Sequence, residues 1–250
     1  MLWLDNFLFD GEEIAFTRLK YLFPVVDKFY ICEKGFTHQG VKKDKLYIDL
    51  VRKRFEPYLT KIEFAVDYSW GDENSHRNFC ASKILTDYPD EQYIITVCDV
   101  DEIPDASLMP SVKEGLYNKC AEGCIYMEMT AFCYNLNWLR EESWTAAFVV
   151  NDILLKEHKE FQKFRDQRGP IFGVFECGRY FSYFMSVKEM ERKLGTEFKD
   201  KQFIFDCLMN GKDLCKRDDV TIVQNKVNKN TYPKEIVELH RKTMEAQFSG

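Results

Sequence analysis

Apolar positions in the first hundred residues come in short runs separated by longer stretches of helical spacing. Residues 2–9, 28–33, 61–66 and 93–99 are strand-length and carry aromatic and β-branched residues, the composition of a pleated, buried element. Between them, Ile14, Leu19, Leu22 and Phe23 form a partial helical stripe closed by Pro24. Leu46, Leu50, Val51 and Phe55 mark a second helix over 46–59, and residues 73–88 form a third, broken by Pro89-Asp90. The predicted order β-α-β-α-β-α-β calls for right-handed crossovers and a largely parallel sheet.

After Pro104 the pattern becomes less regular. A short helix is predicted over 107–119, a long strand over 124–137 and a β-rich run over 145–155. A charged helix follows over 156–168, then an aromatic, glycine-punctuated run over 171–185, and helices over 187–194, 203–210 and 234–247. The expected fold class is therefore α/β: a mostly parallel sheet flanked by helices, with a mixed second half. We expect one domain over 1–250, with residues 1–104 forming a nucleotide-binding half and 105–250 an acceptor-binding half.

The chemistry concentrates at Tyr93-Ile94-Ile95-Thr96-Val97-Cys98-Asp99-Val100-Asp101-Glu102-Ile103-Pro104. A buried strand ends abruptly in acids, and Pro104 sets a turn. Open α/β sheets bind ligands outside the carboxyl ends of their strands. Two neighbouring carboxylates repel unless a proton or cation neutralises them. A hard ion such as Mn2+ or Mg2+ suits oxygen ligands and bridges carboxylates to phosphates. Asp99 and Asp101 are the candidate metal ligands. An acidic turn with no ligand at all is the competing reading.

Composition narrows the classes. The 250 residues carry a net charge of −6, which argues against a protein that grips nucleic acid. Hydrophobic residues at 45% and charged residues at 30% describe a globular chain. The 9 cysteines are odd in number and mostly lie in apolar runs, among them Cys32 and Cys80. Cys120 and Cys124 have no second pair at zinc spacing. The expectation is a reducing compartment, no disulfide framework and no zinc. No stretch is apolar and long enough to span a bilayer, and no signal-peptide pattern opens the chain. A soluble cytoplasmic protein of a bacterial or virus-infected cell is expected.

An ordered set of segments resembles glycosyltransferase family 17, the family of the bisecting β-1,4-N-acetylglucosaminyltransferases. The segments are Phe7-Leu8-Phe9 with Glu12-Glu13 and Arg18-Leu19; Val25-Val26-Asp27-Lys28-Phe29; Glu33 with Thr37-His38-Gln39-Gly40; Arg77-Asn78; Asp99 to Pro104; and Asn210-Gly211-Lys212-Asp213-Leu214. The resemblance implies a GT-A-like fold and a metal-dependent, inverting transfer from a nucleotide diphosphate sugar, UDP-GlcNAc or another, to a glycan hydroxyl. It places Asp99 and Asp101 on a divalent cation at the donor diphosphate. Where the family carries Gly-Trp-His, this chain has Gly178-Arg179-Tyr180-Phe181-Ser182-Tyr183-Phe184.

On that basis Glu33, His38, Arg77, Asn78 and Asp99 are the donor-side candidates, because they sit at predicted strand ends or on the helix before the acidic turn. Asn135, Asn137 and Trp138 are candidate sugar contacts, since amides bond hydroxyls and indole stacks on sugar faces. Glu176 is the candidate catalytic base, with Asp152 and Glu128 as alternatives. Two other readings compete. A haloacid-dehalogenase-type phosphatase also uses Asp-x-Asp, but Ile103-Pro104 departs from its pattern. A degenerate sugar-binding module would fit the altered Gly178 segment.

Overall fold

The four runs of the first hundred residues pair as parallel strands. In a computed structural model that describes residues 1–37, 40–69, 72–118, 123–166, 173–195, 198–217 and 220–248, the elements run β1 (Leu2–Leu8), α1 (Ile14–Leu22), β2 (Lys28–Lys34), α2 (Tyr47–Leu50), α3 (Arg52–Phe55), β3 (Ile62–Asp67), α4 (Glu73–Asp87), β4 (Tyr93–Asp99), β5 (Glu102–Pro104) and α5 (Met109–Asn118). They continue with β6 (Cys124–Cys133), β7 (Trp138–Arg140), β8 (Phe148–Asn151), α6 (Asp152–His158), α7 (Gln162–Asp166), β9 (Gly173–Ser182), α8 (Val187–Leu194), α9 (Lys201–Asn210), β10 (Ile222–Gln224) and α10 (Lys234–Phe248).

The chain divides into two compact units, Met1–Glu128 with Thr145–Gly178, and Met129–Trp144 with Arg179–Gly250. Two of the three dividing points fall within β6 and β9, and the third falls between β7 and β8. Residue 104, the boundary expected between the halves, lies inside the first unit.

In the first unit the strands lie in the order β6-β8-β4-β1-β2-β3. β4, β1, β2 and β3 are parallel, while β8 runs antiparallel to β4 and to β6. β1 pairs with β2 on one side and β4 on the other, so the strand order reverses there. Such a switch point opens a crevice at the carboxyl ends of its two flanking strands. One side of this sheet is filled by a cluster including Leu4, Tyr30, Ile95, Val97, Phe148, Phe161 and Phe164. Each large side chain so buried contributes roughly 1.5–3 kcal/mol.

In the second unit β7 pairs antiparallel with β10, and Phe132 of β6 pairs with Leu139. Tyr134, Met190, Ile204, Cys207, Leu208 and Leu214 form its core, with Trp138 packed against them.

Several expected elements are shorter, each for a local reason. The helix expected over 46–59 is α2 and α3 followed by a 3-10 turn carrying Pro57, which cannot donate to an α-helical ladder. The strand expected to reach residue 137 stops at Cys133, where Tyr134 adopts φ 64°. The helix expected from residue 156 starts at Asp152, because the Asn151 side chain accepts from Leu154 N–H at 2.9 Å. Lys159 at φ 61° then ends it.

Cys32 of β2 and Cys80 of α4 are joined, with Cα atoms 6.6 Å apart. This corrects the expectation of no disulfide. Both cysteines stand in apolar runs 48 residues apart, so nothing in their spacing marks them as partners. No helix among the described residues is long and apolar enough to cross a membrane.

Candidate functional site

Asp99, at the carboxyl end of β4, is held between two arginines. Arg77 Nη2 donates to its Oδ1 at 2.8 Å and Arg165 Nη2 to its Oδ2 at 2.6 Å. The Asp99 side chain keeps 31% exposure, against 5% for Arg77 and 7% for Arg165, so a solvent-facing carboxylate rests on two largely buried cations. Asp99 N–H donates to Glu102 Oε2 at 2.6 Å, folding the acidic turn back on itself. Arg165 also reaches Glu102 Oε1 at 3.5 Å and the Ala146 carbonyl at 3.3 Å. Asp101 is buried in the same turn. The turn lies beside the switch point between β1 and β4, where the strand order favours a ligand.

Each arginine has a clear origin. Arg77 lies on α4, whose first turn is capped by Asp72 accepting from Ser75 N–H at 2.8 Å. Arg165 lies on α7, a short helix with few bonds of its own. Asn78 Oδ1 accepts from Phe161 N–H at 2.9 Å and Gln162 N–H at 3.0 Å, satisfying donors at the start of that helix. The Tyr126 hydroxyl donates to the Phe164 carbonyl. Phe161 and Phe164 are buried on the same face as Arg165. Asn78 thus uses its side chain on α7, the helix that presents Arg165 to Asp99.

Glu33, at the end of β2, is fully buried. Its Oε1 accepts from Lys43 Nζ at 2.9 Å and Tyr47 N–H at 2.7 Å, and its Oε2 accepts from Ile48 N–H at 2.8 Å. It anchors the start of α2. His38 lies outside the described residues, as do Trp70 and Cys120.

Glu176 is exposed on β9 beside buried Cys177. Of the alternatives, Asp152 is buried and pairs with Lys156 at 3.3 Å, and Glu128 is half-buried on β6. The acceptor candidates lie in the second unit. Asn135 is fully buried and its Oδ1 accepts from Asn137 N–H at 2.9 Å. Trp138 Nε1 donates to the Leu208 carbonyl at 2.7 Å, and its ring covers Gly211. The structure therefore brings Arg77 and Asp99 into direct contact, with Asn78 next to Arg77, and leaves Glu33 in a separate cluster.

Two contributors are absent from the sequence-based site. Glu102 stands in the motif but had no role. Arg165 falls within the charged helix expected over 156–168. Its signal was the spacing Phe161, Phe164, Arg165, which places a cation on an apolar face.

His76, one residue before Arg77, is a buried imidazole pushed down to about 4 by desolvation, against the pull of Asp67 and with help from Lys34, Lys43 and Arg77. The unfolded chain takes up this proton near 6.5, so as pH falls the unfolded state binds it first. The stability tied to neutral His76 is complete above pH 6.5 and is lost as pH falls toward about 4. Between about pH 7 and about pH 4.5, urea unfolding of the wild type should lose roughly 2 kcal/mol more than that of His76→Gln. Equal losses would show that His76 does not titrate in this way.

The metal expectation can be tested against the donor set. Asp99 and Asp101 supply hard oxygen donors, and no group of three or more His, Cys, Asp or Glu is gathered for a metal among the described residues. That set fits an ion of the Mg2+ or Mn2+ kind, which takes one or two carboxylates and draws its other ligands from substrate phosphates and water.

The model of glycosyltransferase family 17 matches residues 3–216. No curated protein sequence matches the chain. Among solved structures, similar chains include a mannosyltransferase from Pyrobaculum calidifontis in complex with GDP-Man and Mn2+, at 9% identity and a TM-score of 0.47, over 70% of this chain and 55% of that one. Another is 4-diphosphocytidyl-2C-methyl-D-erythritol synthase, at 12% identity and 0.45, over 83% and 98% of the two chains. A third is the inositol-1-phosphate CTP transferase from T. maritima, at 11% identity and 0.41, over 99% and 98%.

Proposed function

Since the chain belongs to glycosyltransferase family 17, we propose that it is a metal-dependent, inverting glycosyltransferase that moves a sugar from a nucleotide diphosphate sugar to a glycan hydroxyl. The observation that carries this reading is the clamp of Arg77 and Arg165 on Asp99 at the carboxyl edge of the sheet. A donor diphosphate brings negative charge to an edge that already holds two oriented guanidiniums. Arg77 and Arg165 turn part of their hydrogen bonding to phosphate oxygens, for which their planar forks are suited. Asp99 and Asp101 are the residues that would hold Mn2+ or Mg2+. Bound there, the ion supplies Lewis-acid stabilisation to the leaving diphosphate.

The remaining work is positioning and one proton transfer. The acceptor hydroxyl approaches the anomeric carbon opposite the diphosphate, and holding that geometry lowers the entropic part of the barrier. The new bond from acceptor oxygen to anomeric carbon forms as the bond from that carbon to the phosphate oxygen breaks. Glu176 takes the hydroxyl proton, and the nucleoside diphosphate departs.

The test is release of nucleoside diphosphate from a panel of nucleotide sugars, with Mn2+ and with chelator. Turnover of one donor, abolished by chelator and lowered at least about 100-fold in Asp101→Asn, is expected. Turnover indifferent to chelator would contradict the metal assignment. No turnover of any donor would contradict the reaction.

A further inference from the structure

We infer that Arg18 is a positioning residue for the acidic turn: its guanidinium, locked by Asp5, holds the backbone carbonyls of Asp99 and Glu102 in the arrangement the donor site needs. The inference rests on the reading of that turn as the donor site. In sequence, Arg18 interrupts the apolar stripe of α1 formed by Ile14, Ala15, Leu19 and Leu22, all of them buried. A cation in that stripe is costly unless every donor is used and its charge is paired.

Its charge is paired and each of its three nitrogens has a partner. Arg18 Nε donates to Asp5 Oδ2 at 2.8 Å and Nη2 to Asp5 Oδ1 at 2.7 Å, a two-point fork between side chains with 0% exposure. Asp5 is held in turn by the Thr96 hydroxyl. The remaining nitrogen, Nη1, donates to the Glu102 carbonyl at 2.6 Å and the Asp99 carbonyl at 3.1 Å. The Phe7 ring lies 4.9 Å below the guanidinium. One planar group thus ties α1 and β1 to both ends of the turn that carries Asp99, Val100, Asp101 and Glu102.

Geometry separates this role from simple packing. Asp5 alone would satisfy the charge of Arg18. The bonds that exceed that need go to the two carbonyls flanking the acids. A lysine keeps the charge, but its ammonium cannot reproduce a planar fork shared between a carboxylate and two carbonyls. With those carbonyls loose, the turn that carries Asp99 and Asp101 samples other orientations. Outer-shell partners of this kind typically cost about 10- to 100-fold in metal affinity or activity when changed.

The experiment compares wild type, Arg18→Lys, Thr96→Val and Ile62→Ala. Ile62 is a buried residue at the start of β3, two strands away from Asp5 in the sheet, and serves as a stability control. Two readouts are taken on each folded protein. One is amide hydrogen exchange of the peptide covering Asp99 to Pro104. The other is the Mn2+ concentration giving half-maximal donor turnover, with the donor KM and kcat. Arg18→Lys should speed exchange of that peptide about tenfold and raise the Mn2+ requirement about 10- to 100-fold. Thr96→Val, which removes the hydroxyl that holds Asp5 and also accepts from the Trp3 indole, should move both in the same direction by about threefold, and it decides the matter should Arg18→Lys not fold. Ile62→Ala should lower Tm and leave both unchanged. Unchanged exchange of the peptide, or effects no larger than those of Ile62→Ala, would overturn the inference. If the wild type turns over no nucleotide sugar, the proposed reaction fails, and the exchange readout alone still decides what Arg18 holds.

Discussion

Replacing Arg165 by methionine is expected to lower kcat/KM for sugar transfer by about two to three orders of magnitude, the usual cost of removing a charge-stabilising group at a reacting centre. Arg165 is 7% exposed and makes the 2.6 Å contact to Asp99, so the change removes one of the two cations on Asp99, where we propose that the donor diphosphate binds. It also strips Glu102, which is fully buried, of its guanidinium. Leaving such an acid without its cation costs about 3 kcal/mol or more, and Tm should fall. Arg165→Lys restores charge without the fork and should recover stability better than turnover. Asn78→Ala should act in the same direction more weakly, by freeing the N–H groups of Phe161 and Gln162 and loosening α7. If Arg165→Met turned over donor like the wild type in folded protein, the guanidinium pair would have no part in the chemistry.

Gly211→Ala is expected to destabilise the second unit by about 2–4 kcal/mol, from a left-handed backbone and overpacking together. Gly211 sits at φ 65°, and a Cβ there would lie 2.5 Å from Cε3 of Trp138. The indole cannot simply swing away, because its N–H is bonded to the Leu208 carbonyl. Chemical denaturation should show the loss. Adding Trp138→Leu to Gly211→Ala should cost less than the sum of the two single changes, since the smaller side chain removes the clash. Strict additivity would mean that the ring is not what the glycine accommodates.

The parallel half of the fold was legible because periodicity and element length agree there. Runs such as Tyr93 to Cys98 are apolar apart from Thr96, as a sheet covered on both faces requires. The acids at the end of β4 were legible for the same reason, since a strand buried through Cys98 makes its last residue, Asp99, conspicuous. The ordered segments from Phe7 to Leu214 led to the family. Their reach agrees with a family match over residues 3–216.

What the sequence hid is mostly long-range pairing. Arg165 meets Asp99 across 66 positions and Arg18 meets Glu102 across 84, and no local pattern encodes such partners. Cys32 and Cys80 are a third case. Glu33 shows the reverse: its place at a strand end suggested a ligand, while its oxygens receive Lys43 and the first amides of α2. Position at an edge narrows the candidates, and only the bonding partners separate a group that anchors a helix from one that faces a substrate. The phosphatase reading of Asp-x-Asp falls away with the family assignment.

We propose that the turn carrying Asp99, Asp101 and Glu102, resting on Arg77 and Arg165, binds a nucleoside diphosphate together with a divalent ion. Calorimetric titration of nucleoside diphosphates and nucleotide sugars into wild type and Asp101→Ala, with Mn2+ and with chelator, tests it most directly. One nucleotide is expected to bind the wild type only when Mn2+ is present, and the heat to vanish in Asp101→Ala while the protein stays folded. Binding of equal strength in chelator, or in Asp101→Ala, would contradict it.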